Sequence, residues 1–181
     1  NAAAIFAPTI VSVAPCPLLP VAGKARVEPE IAFVLARDLP ARAMPYDEAD
    51  VRAAIGEARL VLELMGPRYA DPTEVTFPEL LADSVANQGL FVGPALSNPF
   101  GLSLDAFPIV VDGADGTLIT REGKHPDGHP PRPLYWLATL LHGAGHGPGE
   151  WHKAGQVVTA GPRRGAAQGP PATAPERHAG R

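Results

Sequence analysis

The stretch Val27-Glu28-Pro29-Glu30-Ile31-Ala32-Phe33-Val34-Leu35 constrains the fold more than any other part of the chain. Ile31, Phe33 and Leu35 recur with a period of two, while Glu28, Glu30 and Val34 fall on the other side. That alternation marks a strand with one face in a core, and Arg26 to Ala36 is expected to form it. Side chains two apart on a strand point the same way, with Cα atoms about 6.5–7 Å apart. Glu28 and Glu30 therefore share one face, opposite an apolar one.

The other elements follow from local signals. Residues 1–25 read as an extended, proline-punctuated segment, with Thr9 to Val13 its best strand. Asp47 is placed to cap a helix running to about Ala58, with Val51, Ala54, Ile55 and Ala58 on one face. Leu60 to Met65 reads as a buried strand ended by Gly66-Pro67. Pro78 in a first turn, then Leu80, Leu81 and Val85, indicates a second helix to about Asn87. Leu90-Phe91-Val92 looks like a short strand. Pro108 to Asp112 and Thr117 to Thr120 form a hairpin pattern across Gly113 to Gly116. Pro133 to His142 is a third helix closed by Gly143, and Gln156 to Thr159 a last strand. Glycine (19) and proline (22) make up 41 of the 181 residues, which limits helix and favours loops. The expected class is α+β and β-rich. Residues 1–161 are read as one domain; 162–181, with no aliphatic side chain larger than Ala, are read as a disordered tail.

Acidic residues (19) outnumber Lys and Arg (15), for a net charge of −4. That gives no electrostatic basis for binding nucleic acid. No apolar run approaches the roughly 20 residues of a membrane span. The apolar stretch Asn1 to Leu19 lacks a basic leader and is broken by Pro8, Pro15 and Pro17, so it is read as neither signal peptide nor anchor. Cys16 is the single cysteine, so no intrachain disulfide forms, and a reducing, cytoplasmic setting is expected. The first residue is not Met, which suggests a fragment or a processed start.

Two carboxylates held together in a partly buried place repel unless one is protonated or a cation lies between them. A hard ion such as Mg²⁺ or Mn²⁺ suits oxygen ligands. Glu28 and Glu30 fit that reading, and equally fit a solvent-facing strand with two ordinary surface acids. Glu63 is a lone acid within Leu60-Val61-Leu62-Glu63-Leu64-Met65. Burial there would be costly without a partner. It is either a third ligand from a neighbouring strand or an edge position reaching solvent.

Val27 to Leu35, then Leu62-Glu63-Leu64 with Arg68 five residues beyond Glu63, resemble the 2-keto-4-pentenoate hydratase family, within the fumarylacetoacetate hydrolase superfamily. Further matches follow in order: Leu81-Ala82-Asp83-Ser84 through Gly89-Leu90-Phe91-Val92-Gly93, Pro133-Leu134-Tyr135-Trp136-Leu137-Ala138, and Ala154-Gly155-Gln156-Val157-Val158-Thr159. The resemblance covers about residues 5–161. It implies a rolled mixed sheet with flanking helices, with Glu28, Glu30 and Glu63 as the metal ligands. The implied substrate is a 2-hydroxy-2,4-dienoate or its 2-keto tautomer, whose carboxylate and 2-oxo oxygens meet the ion before water adds to the distal double bond. Arg68 is a candidate for the substrate carboxylate.

Three differences from the family pattern bear on activity. The family's Gly-x-Lys strand, which places a lysine at the active site, lies upstream of where this chain begins. Lys24 is not in that context and no catalytic residue is assigned. Gly66 and Pro67 stand where an acid and a serine commonly follow the third ligand, and no strand pattern appears after Pro162. A sheet lacking strands at both ends exposes edges, so a homo-oligomer is expected. Sibling reactions, decarboxylation of 4-oxalocrotonate or hydrolysis of an acylpyruvate, and an inactive metal-binding remnant are the alternatives.

A histidine zinc site is not expected. Pro126, Pro130 and Pro131 rule out a helix that would bring His125 and His129 together; His142, His146 and His152 lie amid glycines and Pro148; and no H-E-x-x-H occurs. Cys16, between two prolines, reads as an idle or buried thiol. Tyr135 and Trp136 read as core residues.

Overall fold

The computed structural model describes residues 5–18, 20, 25–40, 42–97, 100, 106–112, 118–124, 131–143, 152–160 and 167–169. Its centre is strand β2, Ala25–Leu35, which pairs antiparallel along its whole length with β3, Ile55–Met65. Next to β3 runs β4, Asn87–Ala95, also antiparallel, and beyond it β1, Ile10–Val11, parallel to β4. The mixed sheet expected from the resemblance is therefore present.

On the other side of β2 lie two short strands, β7 (Val157–Ala160) opposite residues 31–34 and β8 (Ala167–Gly169) opposite residues 25–27. Between them, residues 28–30 have no strand partner on that side among the described residues. Pro29, which has no N–H to donate, lies in this gap. β8 falls where no strand was expected. Backbone pairing to an open stretch of β2 asks nothing of side-chain size, so small residues suffice. The rest of 162–181 lies outside the described residues. A separate hairpin joins β5 (Ala106–Asp112) to β6 (Leu118–Lys124), as expected; its tip is not among the described residues.

Helix α1, Glu48–Ala54, opens as expected: the Asp47 carboxylate accepts from Asp50 N at 2.7 Å. It stops at Ala54, short of Ala58, and the chain turns directly into β3, with Ala36 N donating to Ala54 O at 2.8 Å. The error has a physical origin. Val51, Ala54 and Ala58 reach the same core whether the chain continues as a helix or switches to a strand. Helix α2, Phe77–Ala82, is capped by the Thr76 N–H and hydroxyl donating to the Glu79 carboxylate at 2.8 and 2.6 Å. It too ends early, at Ala82 rather than near Asn87. Helix α3, Arg132–Gly143, matches its expected span.

The two sheet faces differ. On one, Ile31, Phe33 and Leu35 pack with Val51, Ala54 and Ala58 and with Leu134, Tyr135 and Ala138 of α3. Phe33, Leu35, Val51 and Leu134 are fully buried, each contributing about 1.5–3 kcal/mol of transfer free energy. Trp136 is half-exposed, so of the two adjacent aromatics only Tyr135 is core. The other face holds a smaller cluster of Ala32, Val61 and Leu90, and on this face stand the glutamates. Among the described residues no helix is long and apolar enough to cross a membrane.

Candidate metal centre

Glu28 and Glu63 are register partners across the β2–β3 pair, and Glu30 lies one repeat further along, opposite Val61. Residues directly opposite on antiparallel strands share a face. The sheet therefore brings together the three acids that the sequence singled out from two separate segments. Each offers a carboxylate oxygen, and these oxygens all lie within 4.8 Å of one another. Metal–oxygen bonds of about 2.1 Å put ligand oxygens on an octahedral ion about 3–4 Å apart, a spacing comparable with that of this group.

Burial is uneven. Glu30 sits beside the Ala32–Val61–Leu90 cluster and is 6% exposed, whereas Glu28 and Glu63 are half-buried. Burial pushes the Glu30 carboxyl up to about 8, with the Thr159 hydroxyl offsetting part of the shift and the charges of Glu63 and Glu28 adding to it. At an effective dielectric near 20, two carboxylates about 4 Å apart repel by roughly 4 kcal/mol. Three ionised acids are therefore costly here, even with Arg26 beside Glu28 offsetting part of the repulsion. A proton on Glu30 answers that in the metal-free protein, and a divalent cation answers it better. The donor set, all oxygen and all acidic, fits a hard ion.

Each acid has its own support. Arg26 Nη2 donates to Glu28 Oε1 at 2.5 Å, Thr159 Oγ1 of β7 donates to Glu30 Oε2, and Asn87 Nδ2 of β4 donates to Glu63 Oε1 at 2.6 Å. None of these three supports was singled out from the sequence. Arg26 and Thr159 lay within noted motifs without a role. Asn87 carries no local signal, because its place depends on the register between β3 and β4.

Asn87 follows an unusual turn. Ser84, Val85 and Ala86 have φ of +52°, +57° and +64°, left-handed conformations that cost a non-glycine residue about 1–2 kcal/mol each. This turn is why α2 cannot run to Asn87. It is held from several sides. The buried Asp83 carboxylate accepts from Arg68 Nη1 at 2.8 Å and from Arg68 N at 3.1 Å, Gly66 N donates to Ala86 O at 2.9 Å, and Gln88 Nε2 donates to Gly66 O at 3.0 Å.

Arg68 itself is anchored rather than free. Its guanidinium also donates to Asp83 O at 3.1 Å and Asn87 O at 2.7 Å. It lines a cavity of about 240 Å³ together with Phe6, Thr9, Asp83, Ser84 and Asn87. Asn87 joins that cavity to the carboxylates, since it lines the one and binds the other.

The remaining candidates lie elsewhere. Lys24, His125, His129 and His146 are outside the described residues. His152 is buried with no ring-nitrogen partner among the described residues, and Lys153 pairs with Asp38 at 2.9 Å. Cys16 is half-buried, with burial raising its thiol pKa.

No family model matches the chain. Two curated proteins are similar to it: 2-keto-4-pentenoate hydratase of Paraburkholderia xenovorans (strain LB400) and 2-keto-4-pentenoate hydratase 3 of Pseudomonas putida. Each is 28% identical over 136 residues, which is 75% of this chain and 48% of the relative. The chain thus spans about half the length of the curated relatives it matches. Among solved structures, 4-oxalocrotonate decarboxylase from Pseudomonas putida G7, complexed with magnesium and adipate, superposes with a TM-score of 0.50 at 19% identity, covering 88% of this chain and 58% of that one. That likeness concerns the fold. The chain is thus similar in sequence to 2-keto-4-pentenoate hydratases, and its β-rich mixed sheet is similar in fold to that of the decarboxylase.

Proposed function

We propose that this chain holds Mg²⁺ or Mn²⁺ on Glu28, Glu30 and Glu63 and adds water to a 2-hydroxy-2,4-dienoate of the 2-keto-4-pentenoate type. The product is a 4-hydroxy-2-oxo acid, formed during breakdown of aromatic-ring cleavage products. One observation carries the reading: three carboxylates from two strands converge within 4.8 Å, one of them buried. The names of the relatives and the magnesium in the decarboxylase complex support it.

When bound, a divalent cation supplies Lewis-acid polarisation of the substrate's carboxylate and 2-oxo oxygens. The chain's own residues do the rest of the positioning. Arg26 balances part of the acid charge at Glu28, and Thr159 keeps the Glu30 carboxylate oriented while the apolar cluster beside it excludes water. The cavity next to Asn87 receives the part of the substrate that does not meet the ion, with Arg68 in its wall as the group nearest to a substrate-binding role. The homo-oligomer expected from the open sheet edges, and a cytoplasmic setting, belong to the same proposal.

The test is to add the full chain with Mg²⁺ to a 2-hydroxydienoate and follow its ultraviolet absorbance and carbon dioxide. Loss of absorbance without gas supports the hydratase. Gas release from 4-oxalocrotonate transfers the site to decarboxylation. Neither signal, with metal still bound, leaves a metal-binding domain without turnover and overturns the proposal.

A further inference from the structure

Asn87 is tied at three points. Its N–H donates to Ser84 O at the end of the left-handed turn, its carbonyl accepts from Arg68 at 2.7 Å, and its side-chain amide meets Glu63 at 2.6 Å. Main chain and side chain are thus fixed independently. A carboxylate oxygen only accepts, so the amide's NH₂ end must face it.

We infer that Asn87 is a positioning residue for the metal ligand Glu63, fixing one of its oxygens by a neutral hydrogen bond so that the other is presented to the ion. This rests on the metal reading above. The three acids are supported in different ways, and the difference has a chemical consequence. Arg26 brings a positive charge to Glu28, which weakens that carboxylate's pull on a cation. A neutral amide orients Glu63 and leaves its full charge for the ion. Groups of this kind set ligand orientation, and their loss lowers affinity even though they never touch the metal. The strained turn has a purpose in this light. It reverses the chain between α2 and β4 so that Asn87 enters β4 beside Met65, within reach of Glu63. It also supplies a polar group beside the third ligand, where Gly66 and Pro67 offer no side-chain donor.

The experiment compares Mn²⁺ binding to wild type and Asn87→Leu by calorimetry, with Asn87→Ser as the variant that restores a donor. Leu keeps the branched shape and heavy-atom count of the Asn side chain but has no donor. The dissociation constant should rise by about 10- to 100-fold in Asn87→Leu and recover in part in Asn87→Ser, with the metal-free melting temperature little changed. Equal affinity in wild type and Asn87→Leu overturns the inference while leaving the metal reading intact. No binding to wild type removes both.

Should Asn87→Leu not fold, the wild-type chain answers the question alone. It contains only three asparagines, Asn1, Asn87 and Asn98, so selective ¹⁵N-asparagine labelling isolates their side-chain amides. One NH₂ pair should be protected from exchange and shift on Mg²⁺ addition. Absence of any shift, with Mg²⁺ bound by calorimetry, rejects the role.

Discussion

Glu28 and Glu63 stand directly opposite each other on neighbouring antiparallel strands, an arrangement that destabilises a sheet when both residues are charged. With Glu30 completing the group within 4.8 Å, the cluster gathers more negative charge than the Arg26 paired to Glu28 offsets. On the proposed reading, local stability here is given up for metal binding, the usual mark of a functional site.

A divalent ion that binds only the folded chain should therefore stabilise it. At a hundred times its dissociation constant, Mn²⁺ should add about 2.7 kcal/mol, visible as a rise in melting temperature of several degrees. In Glu30→Ala the rise should vanish, because a ligand is gone. Thermal melts of both proteins with and without Mn²⁺ check this, and an equal rise in the two would remove Glu30 from the site.

The metal-free protein should lose stability as pH rises. The Glu30 carboxyl moves from its ordinary 4.5 to about 8 on folding. Between those values the folded chain holds a proton that the unfolded chain has released, so stability falls with rising pH until the loss is complete above about 8. Glu30→Gln removes the titration and should flatten that slope. Apparent metal affinity should show the converse, improving roughly tenfold per pH unit up to about 8 as the ion displaces one proton. Urea melts from pH 5 to 9 on metal-free protein test the first part. A Glu30→Gln curve parallel to wild type would contradict it.

How much of this was legible beforehand depends on whether each feature is local. The strand at Glu28–Glu30 was readable because alternation is a property of consecutive residues, and Asp47 because a cap acts within four. The end of α1 was not, since Ala58 is buried under either conformation. The left-handed turn at Ser84–Ala86 had no sequence cue either: none of its residues is Gly, Asn or Asp, the types that ordinarily mark such backbone. Glu63 was recognisable as an anomaly within an apolar run, but its meeting with Glu28 required register. Asn87 required two registers and the turn, which is why its part in the site emerged only from the assembled sheet. β8 pairs with β2 through its backbone, and Ala-Gln-Gly carries no alternation that would mark a strand in the sequence.

Gly89 tests the packing that closes the sheet. It has φ of +150°, and a Cβ there would lie 2.3 Å from Thr9 O, where real Cβ atoms do not go. β1 lies against β4 at this point, through Ile10 and Leu90. Gly89→Ala should push β1 off the edge and destabilise the chain by about 1–3 kcal/mol, the range for forced backbone conformations. Hydrogen exchange should then rise at residues 10–11 and leave β2 and β3 protected. Unchanged stability would mean that β1 does not pack there in solution.

His152 gives a prediction on the acid side, and it is cleanest once Glu30 is silenced. The ring is 5% exposed, and neither nitrogen has a partner among the described residues. Burial holds its pKa below the ordinary 6.5, with the nearby Gln156 side chain offsetting part of the effect. The folded chain therefore keeps His152 neutral while the unfolded chain protonates, so the stability present above about 6.5 is lost as pH falls through the lowered folded value. In wild type this loss is masked, because protonation of Glu30 stabilises the fold over the same range. In a Glu30→Gln background His152 is, among the described residues, the group whose shifted pKa acts between pH 7 and 5. The carboxylates with lowered pKa values, Asp38, Asp50, Asp71, Glu79 and Asp83, start from 3.8 or 4.5 and begin to matter only below that window. Stability of Glu30→Gln should thus decline from pH 7 to 5, and adding His152→Phe, which keeps a ring but cannot titrate, should abolish the decline. If the double variant declines just as steeply, the acid sensitivity lies in some other group and His152 is not buried in solution.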